Sequence, residues 1–166
     1  MVFSFLAIIG LVYFSHKIYN ILESKIKWNI HDKRLVRILC FISQIISVTL
    51  SVNILVVNNY RDYEQDKKAH KRTTIVLFGR RFGRVFYILN QCLAFLLVFP
   101  LLLDAPWWVL FLFAVLFTLC FYTTKELFTL EGRALNRTLG YTARNVFLFA
   151  LVLSLYFVYL GYQIGG

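Results

Sequence analysis

Sixteen consecutive residues, NNYRDYEQDKKAHKRT at 58–73, hold three acids and five bases beside two adjacent asparagines. Asn58, Asp62 and Asp66 recur at every fourth position. Continued as helix from the apolar run before them, they share one face and form a row of oxygen ligands, which Asn59 can join from the side. Two carboxylates one turn apart repel unless something positive bridges them, and a divalent cation is a natural bridge. Magnesium takes few carboxylates and completes a near-octahedral shell with water and phosphate oxygens. The complement follows in Lys67, Lys68, Lys71, Arg72, Arg80, Arg81 and Arg84. Arginine grips phosphate with paired hydrogen bonds and lysine acts as a point charge, so acids for a metal stand beside bases for a diphosphate. The same residues also fit a solvated, mixed-charge loop, and a lone D-x-x-x-D spacing does not separate the two readings.

The elements around this segment decide what it can serve. The 166 residues are 60% hydrophobic, with mean hydropathy +0.69, whereas soluble domains hold about 45–50% apolar residues. Lipid is the expected solvent. Apolar blocks at 2–22, 35–57, 85–103, 107–124 and 146–162 have the length needed to cross about 30 Å of hydrocarbon as helix. Backbone groups in lipid must satisfy one another, and the blocks lack the alternation of a membrane barrel. The expected fold is therefore all-α, a polytopic transmembrane bundle of about five spans, with a site loop at 58–84. Asp104-Ala105-Pro106 marks a tight hairpin with proline at a helix start. The first block has no basic residue before it and no small-residue cleavage site after it, so it reads as a span rather than a secretory signal.

The formal net charge of +10 raises nucleic acid and anionic lipid as partners. Its distribution points to topology and a phosphate ligand, and no nucleic acid is expected. Eight Lys and Arg lie between Arg61 and Arg84, and Lys125, Arg133, Arg137 and Arg144 precede the last span. Alternate loops of one bundle share a side, so these twelve face the cytoplasm against five in the loop holding Lys25, Lys27, Lys33, Arg34 and Arg37. Cys40, Cys92 and Cys120 stand apart in apolar blocks and read as packing residues. His16, His31 and His70 are scattered. Glu126 and Glu131 read as solvated loop acids, and Trp107 and Trp108 as interfacial anchors.

Residues 58–73, followed by TIVLFG, resemble the second aspartate-rich motif of the UbiA superfamily of intramembrane prenyltransferases. They are most similar to the branch that prenylates 1,4-dihydroxy-2-naphthoate in menaquinone synthesis, whose pattern is close to N-N-x-R-D-x-x-x-D-x-x-x-G-K-R-T. Asn58, Asn59, Arg61, Asp62, Asp66, Lys71, Arg72 and Thr73 match position by position. EGRALNRTLGYTA at 131–143 resembles the segment before the family's last helix, and FLAIIGLVYF near the start its fifth. Two residues depart from the pattern: His70 stands where glycine is usual, and Leu77 where an arginine is usual, with Arg80 and Arg81 close behind. A larger departure is that no N-D-x-x-D-like segment precedes Asn58.

The resemblance implies the second half of a nine-helix fold in which two acidic motifs hold Mg²⁺ on the diphosphate of a polyprenyl donor. The donor's tail lies in an apolar cavity, an allylic cation develops as diphosphate leaves, and the naphthoate ring attacks it with loss of carboxylate. By the same resemblance Asp62 and Asp66 ligate Mg²⁺, Asn58 and Asn59 assist them, and Arg61, Lys71 and Arg72 bind diphosphate. Arg61 also fits a salt bridge within its own helix, and Arg133 and Asn136 either line the mouth of the site or cap the last helix. The expected partners are polyprenyl diphosphate, the aromatic acceptor, the bilayer of a bacterial inner membrane and an N-terminal half. Without that half the chain is expected to be inactive. Two alternatives stay open, an inactive scaffold or accessory subunit of the same descent and a prenyltransferase for another aromatic acceptor such as 4-hydroxybenzoate.

Overall fold

The computed structural model describes residues 30–165, with side chains at residue 38 and over 41–163. The expected span at 2–22, with its likeness to a fifth helix, lies outside the described residues, as do the side chains of Lys25, Lys27, His31, Lys33, Arg34, Arg37 and Cys40. The described chain is helical throughout: α1 (Ile30–Arg61), α2 (Tyr63–Lys68), α3 (Thr74–Leu102), α4 (Trp107–Thr129), a 3-10 turn (Gly132–Ala134) and α5 (Leu135–Gly165). Among the described residues four stretches are long and apolar enough to cross a membrane, Phe41–Arg61, Thr74–Leu102, Trp107–Thr129 and Gly132–Gln163.

Residues 58–84, expected as a loop, are mostly helix. Arg61 ends α1, α2 carries the second aspartate, and α3 begins at Thr74 rather than near residue 85. The early start has a local cause. The Thr73 hydroxyl accepts the Val76 N–H at 3.4 Å and caps the helix, and Ile75 is fully buried behind it. Gly79 then breaks the helix with φ +84 and ψ 166, a conformation that suits glycine because it has no Cβ to clash. The turn between α3 and α4 is the expected hairpin. Pro106 is the N-cap of α4, and its carbonyl accepts from Val109 and Leu110 at 2.9 and 3.3 Å.

Helix α5 starts at Leu135, about three turns before the expected span at 146–162. Leu135, Thr138, Thr142 and Asn145 are buried at helical spacing while the residues between them are largely exposed. A hydropathy reading misses such a segment because its buried stripe is mostly polar.

Packing places α1 against α3 and α5, and α4 against α5. Two apolar clusters result. One holds Ile46, Leu50, Val98, Phe113 and Phe149; the other, toward the charged end, holds Val57, Tyr60, Ile75, Leu127 and Leu135. Between them runs a buried polar layer. Asn53 donates to the Tyr87 carbonyl and accepts from Asn90, both at 3.1 Å. The Tyr87 hydroxyl meets Thr123 and Thr142, both at 3.1 Å, and Asn145 reaches Thr123 at 3.4 Å. Lipid tails are as apolar as leucine, so such interhelical bonds, each worth about 0.6–2 kcal/mol, help to fix which helices meet. Close approach does the rest. A Cβ on Gly83 would fall 2.6 Å from Ile75 and 3.3 Å from Tyr60, so α1 and the start of α3 meet where there is no side chain.

Candidate functional site

The charged end of the bundle gathers α2, the joints on either side of it, and the first turn of α5. Asp62 sits in the α1–α2 joint with φ −89 and ψ 5. Its N–H still bonds to the Asn58 carbonyl at 3.1 Å, and the Asp66 N–H bonds to the Asp62 carbonyl at 2.9 Å. The i→i−4 run thus continues through the joint, and Asn58, Asp62 and Asp66 remain in line.

Past Asp66 the chain turns back. The Lys71 N–H bonds to the Asp66 carbonyl at 2.9 Å and the His70 N–H to the Lys67 carbonyl at 3.2 Å, the two crossed bonds of a Schellman motif. His70 supplies the left-handed residue with φ +53, where the family pattern has glycine. An ordinary side chain there costs about 1–2 kcal/mol. The turn places Lys71 beside the acid it follows, with Nζ 2.9 Å from Asp66 Oδ1. Asp66 is only 6% exposed, and Lys71 holds its charge at the rim.

Arg61 organises the other acid. Its Nε and Nη2 each lie 2.7 Å from a different oxygen of Asp62, a two-pronged clamp. The remaining donors reach outward, Nη2 to Asn58 Oδ1 and Nη1 to Asn136 Oδ1, both at 2.9 Å. Four of the five guanidinium N–H groups are therefore occupied, and one is left for a ligand. The salt-bridge reading of Arg61 describes this geometry, with an added reach across to α5. Asn136 is thus a partner of the site rather than a helix cap.

The electrostatics follow from these contacts. The Arg61 clamp holds the Asp62 carboxyl below its ordinary value against partial burial, with Lys71 adding its charge. Lys71 is raised above its ordinary value, first by Asp66 and then by the more distant Asp62. Arg61 and Lys71 are each matched to an acid, and the two pairs feel one another.

Arg80 ties down the outer wall. It bonds to Glu131 at 2.9 Å and Glu64 at 3.2 Å, and its guanidinium lies 4.8 Å from the Tyr63 ring. It joins α2, α3 and the turn before α5. Glu131 is an exposed acid, as expected, but in an ion pair. Arg81, Arg133 and Leu77 are exposed.

Glu126 corrects its expectation. It lies inside α4, 5% exposed, with Oε1 2.6 Å from Arg137 Nη2 and Oε2 2.8 Å from the Thr138 hydroxyl. A carboxylate so buried persists because both oxygens have donors. Arg137 and Thr138 directly follow Asn136, so Glu126 fixes the turn from which Asn136 meets Arg61. No local signal marked Glu126: its inward side shows only once Thr123, three residues earlier on the same face, is seen to be fully buried.

Not every expected residue is gathered in. Arg72 is exposed and makes no ion pair among the described residues, and Asn59 makes no side-chain hydrogen bond among them. No group of three or more His, Cys, Asp or Glu that could hold a metal occurs among the described residues. Two carboxylates, one with its second oxygen free of protein donors, fit Mg²⁺ as a partial shell that phosphate and water complete, and they fall short of a cage.

A model of the UbiA prenyltransferase family matches residues 1–145 of this chain. No curated protein and no solved structure matches it.

Proposed function

The chain belongs to the UbiA prenyltransferase family, a family of intramembrane prenyltransferases, and from this premise we propose that it carries the second acidic half-site of a Mg²⁺-dependent enzyme. The observation that carries the reading is the row of Asn58, Asp62 and Asp66 at one end of an apolar bundle, each acid matched to a base from the same motif. The donor is a polyprenyl diphosphate and the acceptor 1,4-dihydroxy-2-naphthoate, as in menaquinone synthesis, with the site facing the cytoplasm of a bacterial inner membrane and an N-terminal half supplying the opposing acids.

Asp62 and Asp66 hold the metal, with Asn58 and Asn59 as neutral neighbours. When bound, Mg²⁺ supplies positive charge to a departing diphosphate. Lys71 and Arg72 offer donors to that diphosphate from the rim, where both side chains are exposed. Arg61 offers its single open N–H and otherwise keeps Asp62, Asn58 and Asn136 in fixed relation, a preorganisation that costs nothing at the moment of reaction. The apolar helices below exclude water from the developing allylic cation.

The test is prenylation in membranes holding this chain together with an N-terminal half bearing an N-D-x-x-D motif, assayed with Mg²⁺, farnesyl diphosphate and either 1,4-dihydroxy-2-naphthoate or 4-hydroxybenzoate. Prenylated naphthoate, abolished by Asp62→Asn and by Asp66→Asn, is the expected outcome. Wild-type product that survives both substitutions overturns the assignment of these acids. Product from 4-hydroxybenzoate alone overturns the acceptor.

A further inference from the structure

A groove of ≈ 560 Å³ opens between α3 and α4, walled by Ile88, Cys92, Phe95, Phe99, Phe117 and Phe121. It lies within two apolar spans, and its volume is that of a site for one small molecule. In a bilayer such walls meet hydrocarbon. Two polar features single out which hydrocarbon.

The first is Arg84, one turn before Ile88 on the face of α3 that lines the groove. Its guanidinium lies 5.0 Å from the Phe128 ring of α4 and 5.5 Å from the Tyr60 ring, so it stands between α3 and α4 one turn beyond the groove's lining at the charged end. Phe128 continues the α4 wall, one turn past Thr124. Arg61, Lys71, Arg80 and Arg137 each pair with a carboxylate; Arg84 has none within 4.0 Å among the described residues. Its one hydrogen bond, Nη2 to the Phe128 carbonyl, is 3.4 Å long, and its buried Nε has no partner. A guanidinium held between rings, with donors to spare, fits a phosphate.

The second feature is Gln91, between Arg84 and the aromatic walls. Its side-chain amide meets the Thr124 hydroxyl at 2.8 Å, and that hydroxyl also reaches the Cys120 carbonyl at 2.9 Å, so whichever takes its one proton the amide keeps at least one N–H without a partner among the described residues although it lines an apolar groove. Seven residues at 1.5 Å set Gln91 about 10 Å below Arg84 along the helix. The order read down the groove is cation, lone donor, apolar wall. A ligand that matches has a phosphate, then an acceptor, then a long chain.

We propose that this groove holds an anionic glycerophospholipid, with its phosphate on Arg84, an ester carbonyl on Gln91 and one acyl chain against Phe95, Phe99, Phe117 and Phe121. A polyprenyl diphosphate keeps all its acceptor oxygens in one head group and has none further along its chain. The inference is independent of the prenyltransferase reading, because the proposed half-site assigns its diphosphate to Arg61, Lys71 and Arg72 and uses none of these residues.

Cys92, exposed in the groove wall, reports occupancy. The purified chain in detergent is titrated with phosphatidylglycerol, phosphatidylcholine or farnesyl diphosphate, and alkylation of Cys92 is followed by site-resolved mass spectrometry. Phosphatidylglycerol slows alkylation at the lowest concentration, and Arg84→Gln raises that concentration about tenfold, the scale of one lost charge-assisted contact. Gln91→Leu keeps the volume, removes the donor and weakens protection several-fold, which serves equally if Arg84→Gln fails to fold. Equal protection by phosphatidylcholine, unchanged protection in either folded variant, or stronger protection by farnesyl diphosphate overturns the proposal.

Discussion

Replacing Glu126 with leucine tests whether the first turn of α5 is held from α4. Leucine keeps the side chain's bulk in a position that is 5% exposed but removes both acceptors. Water screens the exposed Arg137, so the loss of that partner is discounted. The hydroxyl of Thr138 is different. It is fully buried and its acceptor is Glu126 Oε2 at 2.8 Å. A buried donor left unsatisfied costs about 1–3 kcal/mol. A threonine in a helix can fall back on the carbonyl four residues earlier, as Thr142 does with Thr138, which sets the expectation at about 1–2 kcal/mol. At roughly 2–4 °C per kcal/mol for a chain of this size, the midpoint of thermal unfolding falls by about 2–8 °C. Unfolding of the purified chain is followed by labelling of Cys120, which is buried in the native state. Thr138→Val strands the Glu126 oxygen instead, and the double variant costs less than the sum because both partners become apolar. A Glu126→Leu shift below about 0.5 kcal/mol, or additivity of the two substitutions within about 0.5 kcal/mol, refutes the linkage.

Other outcomes follow from backbone and charge. His70→Gly relieves the left-handed strain and, after the extra freedom of an unfolded glycine is counted, gains up to about 1 kcal/mol; a lower unfolding midpoint contradicts the turn. Gly83→Ala sets a methyl 3.3 Å from the Tyr60 ring of α1 and pushes aside the tip of the fully buried Ile75, at a cost of about 1–3 kcal/mol, whereas Gly140→Ala points into open space and gains about 0.8–1.0 kcal/mol of helix propensity. Thermal scans in which the two alanines act alike would count against the α1–α3 contact. The metal-free charge pairs set a pH window. Asp62 is lowered from 3.8, so its contribution is complete above that value and disappears as pH falls through the lowered one. Lys71 is raised from 10.5, so its contribution is complete below that value and disappears as pH rises through the raised one. Asp62→Asn flattens the acid limb of the stability profile and leaves the alkaline limb, and a profile unchanged by this substitution refutes the clamp.

Much of the site was written locally. The i, i+4 spacing of Asn58, Asp62 and Asp66 specified one face, and the helical bonds run through the joint at Asp62 as that spacing requires. The pattern has glycine where His70 stands, and the left-handed turn that suits glycine falls at that position. Hydropathy marked the apolar blocks and Pro106 the hairpin, because backbone satisfaction in lipid leaves few choices for such runs. Helix ends were less legible. The first three turns of α5 and the first turns of α3 carry polar residues on their outer faces, so average hydropathy stops short of them.

What the sequence determined by itself was the membrane class, the helical run of oxygen ligands and the likeness to a family whose model matches the chain. Only the tertiary structure decided that Arg61 is largely spent on Asp62, Asn58 and Asn136, and that Glu126 is a buried anchor rather than a solvated acid. It alone showed that Arg84 lies between the Phe128 and Tyr60 rings with no carboxylate within 4.0 Å among the described residues. The physical reason is one of range. Spacing of three or four residues fixes what shares a helix face, but a side chain's partner 11 or 75 positions away depends on which helices cross, and at what height.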